Sequence, residues 1–392
     1  MRNKISLILL ASIALPLLVG CSTRWTEAIQ SGEVTKNQFH ETIKIEIRNG
    51  LVFVPVTINN KEHLFLFDTG APFSISTKLQ NEYNFKVVSK GNIVDSDNNR
   101  KKVEWSQVDT TLIGNVAFLN QTAFIGDFEA NPILGCLEID GIIGSNLMRH
   151  CNWTIDQQSK SLTLFKDIRG SDSQSHFTIP FKTDHQYNIF TNVNVGQAVV
   201  KNVLVDYGSI SLDDEIFATL KSRGIISKTF HEKGMKQSGI VGETISLDRE
   251  ITSSDSVRLD SAYLKNVMLR TGKTTSIGNG FLSRFELTID WDNRKLHFFD
   301  VGETYNAIQL AGFKLGYSAD LGVYVQSVLV NSNAYHEGVR PHMKVVKVDK
   351  LDFTRGNTFC DYANHELGET IFLELIDTTG NKREFRFERT TL

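Results

Sequence analysis

The sequence predicts a mainly β fold built from two equivalent halves and a smaller third unit, and three observations lead there. Short segments alternate apolar and polar residues with a period of two, as in Ile43-Lys-Ile-Glu-Ile-Arg48, His63-Leu-Phe-Leu-Phe67 and Gln107-Val-Asp-Thr-Thr-Leu-Ile113. Asn, Asp, Gly and Ser punctuate them, so they read as strands joined by tight turns. The stretch from Ile143 to Asp156 recurs without a gap from Ile277 to Asp290, with Ile, Gly, Thr, Ile and Asp in register. Upstream, Phe65-Leu-Phe-Asp68-Thr-Gly-Ala71 has a counterpart in Val203-Leu-Val-Asp206-Tyr-Gly-Ser209. A repeat of this length means two units of one plan. The last 90 or so residues break the pattern and form the third unit.

Composition agrees with a folded, soluble core. Of 392 residues 41% are hydrophobic and 22% charged, with 28 Gly and only 6 Pro, which is neither low-complexity nor disordered. Forty-two basic against 45 acidic side chains leave a net charge of -3, so no cationic field is available for a phosphate backbone, and nucleic acid is not an expected partner.

In chain order, Arg2 and Lys4 precede an apolar run from Ile5 to Val19. That run is too short to span a bilayer and has the length of an export signal, here residues 1–20. Leu18-Val19-Gly20-Cys21 resembles the lipobox of bacterial lipoproteins. The resemblance implies lipidation at Cys21 and attachment to a membrane of the cell envelope, with the folded units in water. Ser22 after the cysteine favours the outer membrane of a Gram-negative cell on the same resemblance. Residues 21–42 are polar without apolar periodicity and read as a tether. The halves are placed at 43–168 and 175–301, joined by the polar run Arg169-Gly-Ser-Asp-Ser-Gln-Ser175. The best helical stretch is Asp213 to Arg223, acidic at its start and basic at its end. In an oxidising compartment Cys136 and Cys151 could pair, but with Cys360 left over, buried free thiols are equally compatible with the count.

In the third unit, Gly312-Phe-Lys-Leu-Gly-Tyr317, Gly322-Val-Tyr-Val-Gln-Ser-Val328, Ser332 to Val339 and Lys344-Val-Val-Lys-Val-Asp349 resemble a circularly permuted bacterial PDZ domain, a small α/β fold. His342-Met343 stand where that family has Gly-Asp. The resemblance covers 302–392 and implies docking of a peptide terminus or strand by β-augmentation.

The chemistry rests on the repeated Asp-x-Gly. A carboxylate delivered by a buried strand has a fixed position, and the glycine after it lets the backbone turn and approach a partner closely. Two such carboxylates brought together cannot both ionise, so one keeps its proton in mild acid and the pair serves as acid and base together. It can polarise a water for attack on a peptide carbonyl with no metal or cofactor. Leu66-Phe67-Asp68-Thr69-Gly70-Ala71, with Asp140-Gly-Ile-Ile-Gly144, resembles the retropepsin-like aspartic proteases. Carried across both halves, the resemblance implies two acid-protease-type β-barrel lobes in one chain, as in pepsin-like proteases. It assigns Asp68 and Asp206 as the catalytic carboxylates, Gly70 and Gly208 as shapers of their loops, and Thr69 as a hydroxyl grip on the opposite loop. Gly144 and Gly278 would let a crossing strand pass. A flap over a polypeptide substrate is implied at Ile93–Trp105, with Trp105 a candidate cover, and at Gly239–Leu247 in the second half.

Tyr207 stands where the family has Thr or Ser, so a reciprocal hydroxyl grip is not expected, and a purely structural Asp206 is an open alternative. In that case two first halves from separate chains would supply the pair, or the protein would bind peptide without cutting it. No His-Glu-x-x-His, Cys-x-x-Cys, phosphate-binding glycine loop or Gly-x-Ser-x-Gly occurs, so zinc, nucleotide and serine-hydrolase readings lack a motif. Asp95, Asp97 and Asn99 alternate like calcium ligands but lack the glycine and closing glutamate of an EF-hand, and read as a solvated turn.

Overall fold

In a computed structural model of the chain, residues 27–167, 175–207, 211–240, 242–260, 262–301 and 307–392 are described. The export signal, Cys21, Gly208 and the linker from Arg169 to Gln174 lie outside them. Strands dominate, gathered into several curled sheets.

In the first lobe the alternating segments form one sheet. Its order is Glu33–Val34, Val116–Gly126, Ser74–Ser76, Gly141–Ile143, Lys61–Phe67, Leu51–Ile58, Arg100–Ile113 and Lys86–Val94. Arg100–Ile113 also pairs with Val116–Gly126, which curls the sheet onto itself. Residues facing inward, such as Val54, Phe65, Phe67 and Ile75, are fully or almost fully buried. At about 1.5–3 kcal/mol for each large apolar side chain, this face is the main driving force for the lobe.

The expected tether is corrected here. Ile29 is wholly buried, packed with Trp105 and Phe124, and His40–Lys44 pairs with Ser161–Phe165. Residues 27–42 therefore belong to the lobe. They show no apolar period because one anchoring side chain and two short strands hold them.

The second lobe repeats the hairpin Ile189–Val195/Ala198–Val205, with Ser276–Ile277 added in parallel. Its helix is Asp214–Ser222, capped by the Asp213 carboxylate accepting from the Glu215 N–H at 2.9 Å. Its other sheet, Leu212–Asp213, Val267–Gly272, Thr244–Ser254 and Phe230–Gln237, continues without a break into Gly322–Leu329 of the C-terminal unit. That unit keeps a core of its own around Leu315, Val325, Val345 and Leu373.

The lobes meet through a six-stranded sheet whose middle strands, Asn152–Asp156 and Phe285–Asp290, are the two copies of the repeat. Thr154 lies opposite Thr288, its own counterpart, with the hydroxyls 2.6 Å apart. The internal repeat has thus become a pseudo-two-fold axis, and one hydrophobic core runs through both lobes.

The cysteine pairing is also corrected. Cys136 is bonded to Cys360, linking the first lobe to the C-terminal unit, and Cys151 is a free, buried thiol. With 224 residues between the partners, only tertiary packing brings them together.

Candidate active site

Asp68 follows the strand Lys61–Phe67, and Asp206 follows Ala198–Val205. Each strand end is flanked by a parallel one, Phe67 beside Ile143 and Val205 beside Ile277. The Asp68 N–H donates to the Ile143 carbonyl at 3.0 Å, and the Asp206 N–H to the Ile277 carbonyl at 2.9 Å. The two aspartates are therefore set by equivalent backbone clamps.

Gly144 and Gly278 sit just after these clamping strands, in extended conformation, and each starts a helical turn. The Gly144 carbonyl accepts from Leu147 and Met148, and the Gly278 carbonyl from Phe281 and Leu282. At Gly144 a Cβ would lie 2.1 Å from the Pro72 carbonyl carbon, so only glycine lets the chain pass the aspartate loop there.

Across the axis the two carboxyls lie close enough for the charge of Asp206 to act on Asp68. A Cβ on Gly70 would come within 2.6 Å of the Asp206 Cγ, so the approach of the two loops requires a residue without a side chain. The Gly70 N–H donates to Asp68 Oδ1 at 2.9 Å. Burial and the charge of Asp206 hold the Asp68 carboxyl well above the usual carboxylate range, and the Gly70 hydrogen bond only partly offsets them. The pair retains a proton where isolated carboxylates have lost theirs, and titrates as a unit.

Thr69 is fully buried; its hydroxyl donates to the Val205 carbonyl at 2.6 Å and accepts from the Tyr207 N–H at 3.3 Å. The grip is one-sided. The Tyr207 side chain turns into the core and packs edge-on against Phe67, with ring centroids 5.5 Å apart. It is 2% exposed and does not separate the carboxylates, and its hydroxyl finds no hydrogen-bond partner among the described residues.

A hairpin stands at each of the two places implied for a flap. Lys86–Val94 pairs with Arg100–Ile113, and Phe230–Gln237 with Thr244–Ser254. Trp105 is not a cover: its position opposite Phe124 turns the indole inward, where it is 1% exposed. What closes the gap between the hairpins is polar contact between their tips. Asp95 organises the first tip by accepting from the Asp97 and Asn99 N–H groups, and the Ser238 hydroxyl donates to Asp95 Oδ2 at 2.5 Å. Asn99 donates to Ser238 at 2.7 Å, and Lys236 forms an ion pair with Asp97. Asn131 holds the second tip by donating to the Gly239 carbonyl at 2.7 Å. Sequence reading took Asp95, Asp97 and Asn99 for a solvated turn; their partners lie 139 to 143 residues away. Beside the first hairpin lies a pocket of about 190 Å³ lined by Ile93, Val103, Ile125 and Ile240 together with the charged Lys101, Lys102, Glu104 and Asp127. No group of His, Cys, Asp or Glu able to hold a metal ion occurs among the described residues.

Residues 54–147, which include Asp68-Thr69-Gly70 and the Gly141–Gly144 segment, match the family model described as Aspartyl protease. A crystal structure of a retropepsin-like aspartic protease from Rickettsia conorii is similar at 22% identity, over 35% of this chain and 94% of that one, with a TM-score of 0.25. No curated protein matches the chain.

Proposed function

We propose that the chain is a single-chain aspartic endopeptidase in which Asp68 and Asp206 share one proton and activate a water between them. The observation that carries this reading is the close approach, across the axis, of two carboxyls held by equivalent strands, with Gly70 of one loop against the Asp206 side chain of the other. The ionised partner draws a proton from water as it attacks a peptide carbonyl. The protonated partner donates to the carbonyl oxygen, and a proton then passes to the leaving amine as the tetrahedral intermediate collapses. Thr69 and Gly70 position the loops. An extended substrate lies between the dyad and the latched hairpins. Because one chain supplies both carboxylates, no second first lobe is needed. Because the carboxyls lie close together, loss of catalysis need not follow from Tyr207.

The activity test is cleavage of denatured casein across pH 3–8. Asp68→Asn and Asp206→Asn are each expected to reduce kcat/KM by roughly three orders of magnitude or more. The wild-type rate should be bell-shaped, falling in acid when both carboxyls are protonated and towards neutral pH when the shared proton is lost. Full activity in Asp206→Asn would end the two-carboxylate account. Silence of the wild type at every pH would leave a peptide-binding protein.

The envelope placement and the peptide-docking role of residues 302–392 are part of the same proposal, supported by the lipobox-like Leu18–Cys21 and by the strand order of the C-terminal unit. Palmitate labelling in a bacterial host should disappear in Cys21→Ser; labelling that persists refutes the anchor.

A further inference from the structure

The pseudo-two-fold axis relates the surroundings of the two aspartates as well as their clamps, and at one pair of positions the equivalence breaks. In each lobe the residue that caps the first helix after the aspartate, Ser76 or Asp213, lies opposite a glycine of a parallel strand, Gly126 or Gly272. Two residues before that glycine stands Phe124 in the first lobe and Arg270 in the second. Phe124 is 2% exposed and packs against Trp105, the residue across from it on the neighbouring strand. Arg270 has Ile251 across from it. An apolar ring and a guanidinium therefore occupy equivalent places.

Leu269 is buried in the core, so alternation turns the neighbouring Arg270 to the other face of its strand. There it lines a cavity of about 120 Å³ with Glu232, Arg249 and Met268. The charged groups that act on its guanidinium are Arg249, Glu232, Asp206 of the dyad and Asp97 at the tip of the first hairpin. Two of these carboxylates are engaged by other cations. Arg249 donates to Glu232 Oε2 through Nε at 2.8 Å and Nη2 at 2.6 Å, Lys314 stands 3.5 Å from Glu232 Oε1, and Lys236 pairs with Asp97. Burial and Arg249 lower the pKa of Arg270 only from 12.5 to about 10, so it is a cation wherever a carboxyl titrates.

Few links separate this strand from the dyad. Leu212 pairs with Thr271, next to Arg270; Ser211 bridges to Ser276; and the Ile277 carbonyl accepts from the Asp206 N–H. The Ser211 hydroxyl also donates to the Thr274 carbonyl at 2.6 Å. Burial, Asp206 and the Gly70 N–H are what act on Asp68, and none of them is a cation. A carboxyl beside a cation gives up its proton more readily than one walled by apolar groups, and a pair whose surroundings differ in this way divides into a fixed acid and a fixed base.

We propose that Arg270 is a positioning residue that divides the roles of the dyad: it holds Asp206 ionised and leaves the shared proton on Asp68. The proposal rests on the peptidase reading and adds the direction of proton transfer. Asp206 takes a proton from the water as the water oxygen bonds to the peptide carbon. The carbonyl π pair moves to its oxygen, which receives the proton of Asp68, so the negative charge crosses the axis from Asp206 to Asp68. On collapse Asp206 gives its proton to the leaving nitrogen as the C–N bond breaks, and Asp68 takes one from a hydroxyl of the intermediate, which restores the starting state.

The test removes one carboxyl at a time, so that each titration is read without the partner and without cleavage. In the full chain in detergent, carrying carbon-13 at the Asp side-chain carboxyls, NMR difference spectra against Asp68→Asn/Asp206→Asn identify Asp206 in Asp68→Asn and Asp68 in Asp206→Asn. Asp206 is expected to titrate about one pH unit or more below Asp68, the scale of a neighbouring opposite charge. Adding Arg270→Gln to Asp68→Asn should raise the Asp206 midpoint by about one unit, while Arg270→Lys should keep most of the difference. In the chain with both carboxyls, Arg270→Gln should move the acid limb of the casein pH profile upward by a like amount and leave KM within twofold. Equal midpoints for the two carboxyls would overturn the proposal, and that comparison needs no change at Arg270. An Asp206 midpoint unmoved by Arg270→Gln in a variant with a wild-type thermal melt would overturn it too. Casein cleavage with equal midpoints would remove this assignment and leave the peptidase reading. The expected order of midpoints in a chain that cleaves nothing would do the reverse.

Discussion

At the scale of single residues, the aspartates were legible because strand delivery and a following glycine are written locally around Asp68 and Asp206. Their close approach depends on a glycine, Gly70, whose partner lies in the other half of the chain. Tyr207 was legible only as a departure. Its hydroxyl is buried without a partner among the described residues, which costs about 1–3 kcal/mol for the stranded polar group. Tyr207→Phe should therefore raise the midpoint of urea unfolding, corresponding to a gain of about 1 kcal/mol, and leave casein cleavage within twofold. A marked loss of activity would mean that the hydroxyl serves the dyad.

His150 makes the opposite contribution to an enzyme proposed to work in acid. It is 8% exposed, and burial, with Arg149 and Lys166 nearby, lowers its pKa from 6.5 to about 3. Its folded pKa is depressed, so the unfolded chain binds the proton first. Stability is whole above pH 6.5 and declines as pH falls towards 3, by about 1.4 kcal/mol per unit from this group. His150→Gln should flatten the dependence of unfolding free energy on pH between 6.5 and 4; equal slopes in both proteins would refute the assignment. Glu232 adds to this loss once pH falls below about 4.5: burial raises its pKa, but Lys314 and Arg249 outweigh that and bring it from 4.5 to about 2, so the unfolded chain takes up the proton first.

At the scale of elements, strands such as Leu51–Ile58 and Lys61–Phe67 were legible because one face, with Val54, Val56, Phe65 and Phe67, is buried in the main core, while Phe53 and Leu66 on the other join a smaller apolar cluster. Period-two alternation missed residues 27–42, where a single buried Ile29 does the anchoring. It gave the flap hairpins as shapes but not their contact, since Asp95 with Ser238 and Lys236 with Asp97 are tertiary pairs between polar tips that look like ordinary turns. The contact itself is testable. Asp95→Ala removes the hydroxyl bond from Ser238 and both backbone bonds that shape the first tip. Losing about 1.4 kcal/mol of local closure corresponds to a tenfold faster opening equilibrium. Hydrogen exchange measured by mass spectrometry should accelerate at residues 93–100 and 237–240 by about that factor, with the Asn152–Asp156 strand unchanged. Unchanged exchange at the tips would mean that the latch contributes nothing to closure.

At the scale of the whole molecule, the duplication was readable because repeat-mates pair across the axis, Thr154 against Thr288, so one sequence signal encodes both halves and their junction. The attachment of the C-terminal unit was not, because two of its fastenings, the Phe230–Gln237/Gly322–Leu329 pairing and the Cys136–Cys360 bond, join segments with no local signature. The bond ties the short helix Pro132–Cys136 of the first lobe to the helix Phe359–Ala363 of the C-terminal unit, and Asn49 adds a hydrogen bond to the Ala363 carbonyl at 2.6 Å. The C-terminal unit is thus held covalently by the first lobe and through a sheet by the second, which limits how far either lobe can move without it. A closed loop of this size restricts the unfolded chain strongly, and disulfides contribute typically about 2–4 kcal/mol. Cys136→Ser/Cys360→Ser should unfold at a lower midpoint by a corresponding amount. Native-state hydrogen exchange along Gly322–Leu329 should be faster in the double variant than in the oxidised wild type. Equal exchange in both proteins would show that the sheet alone holds the unit, and that the covalent tie acts only on the unfolded chain.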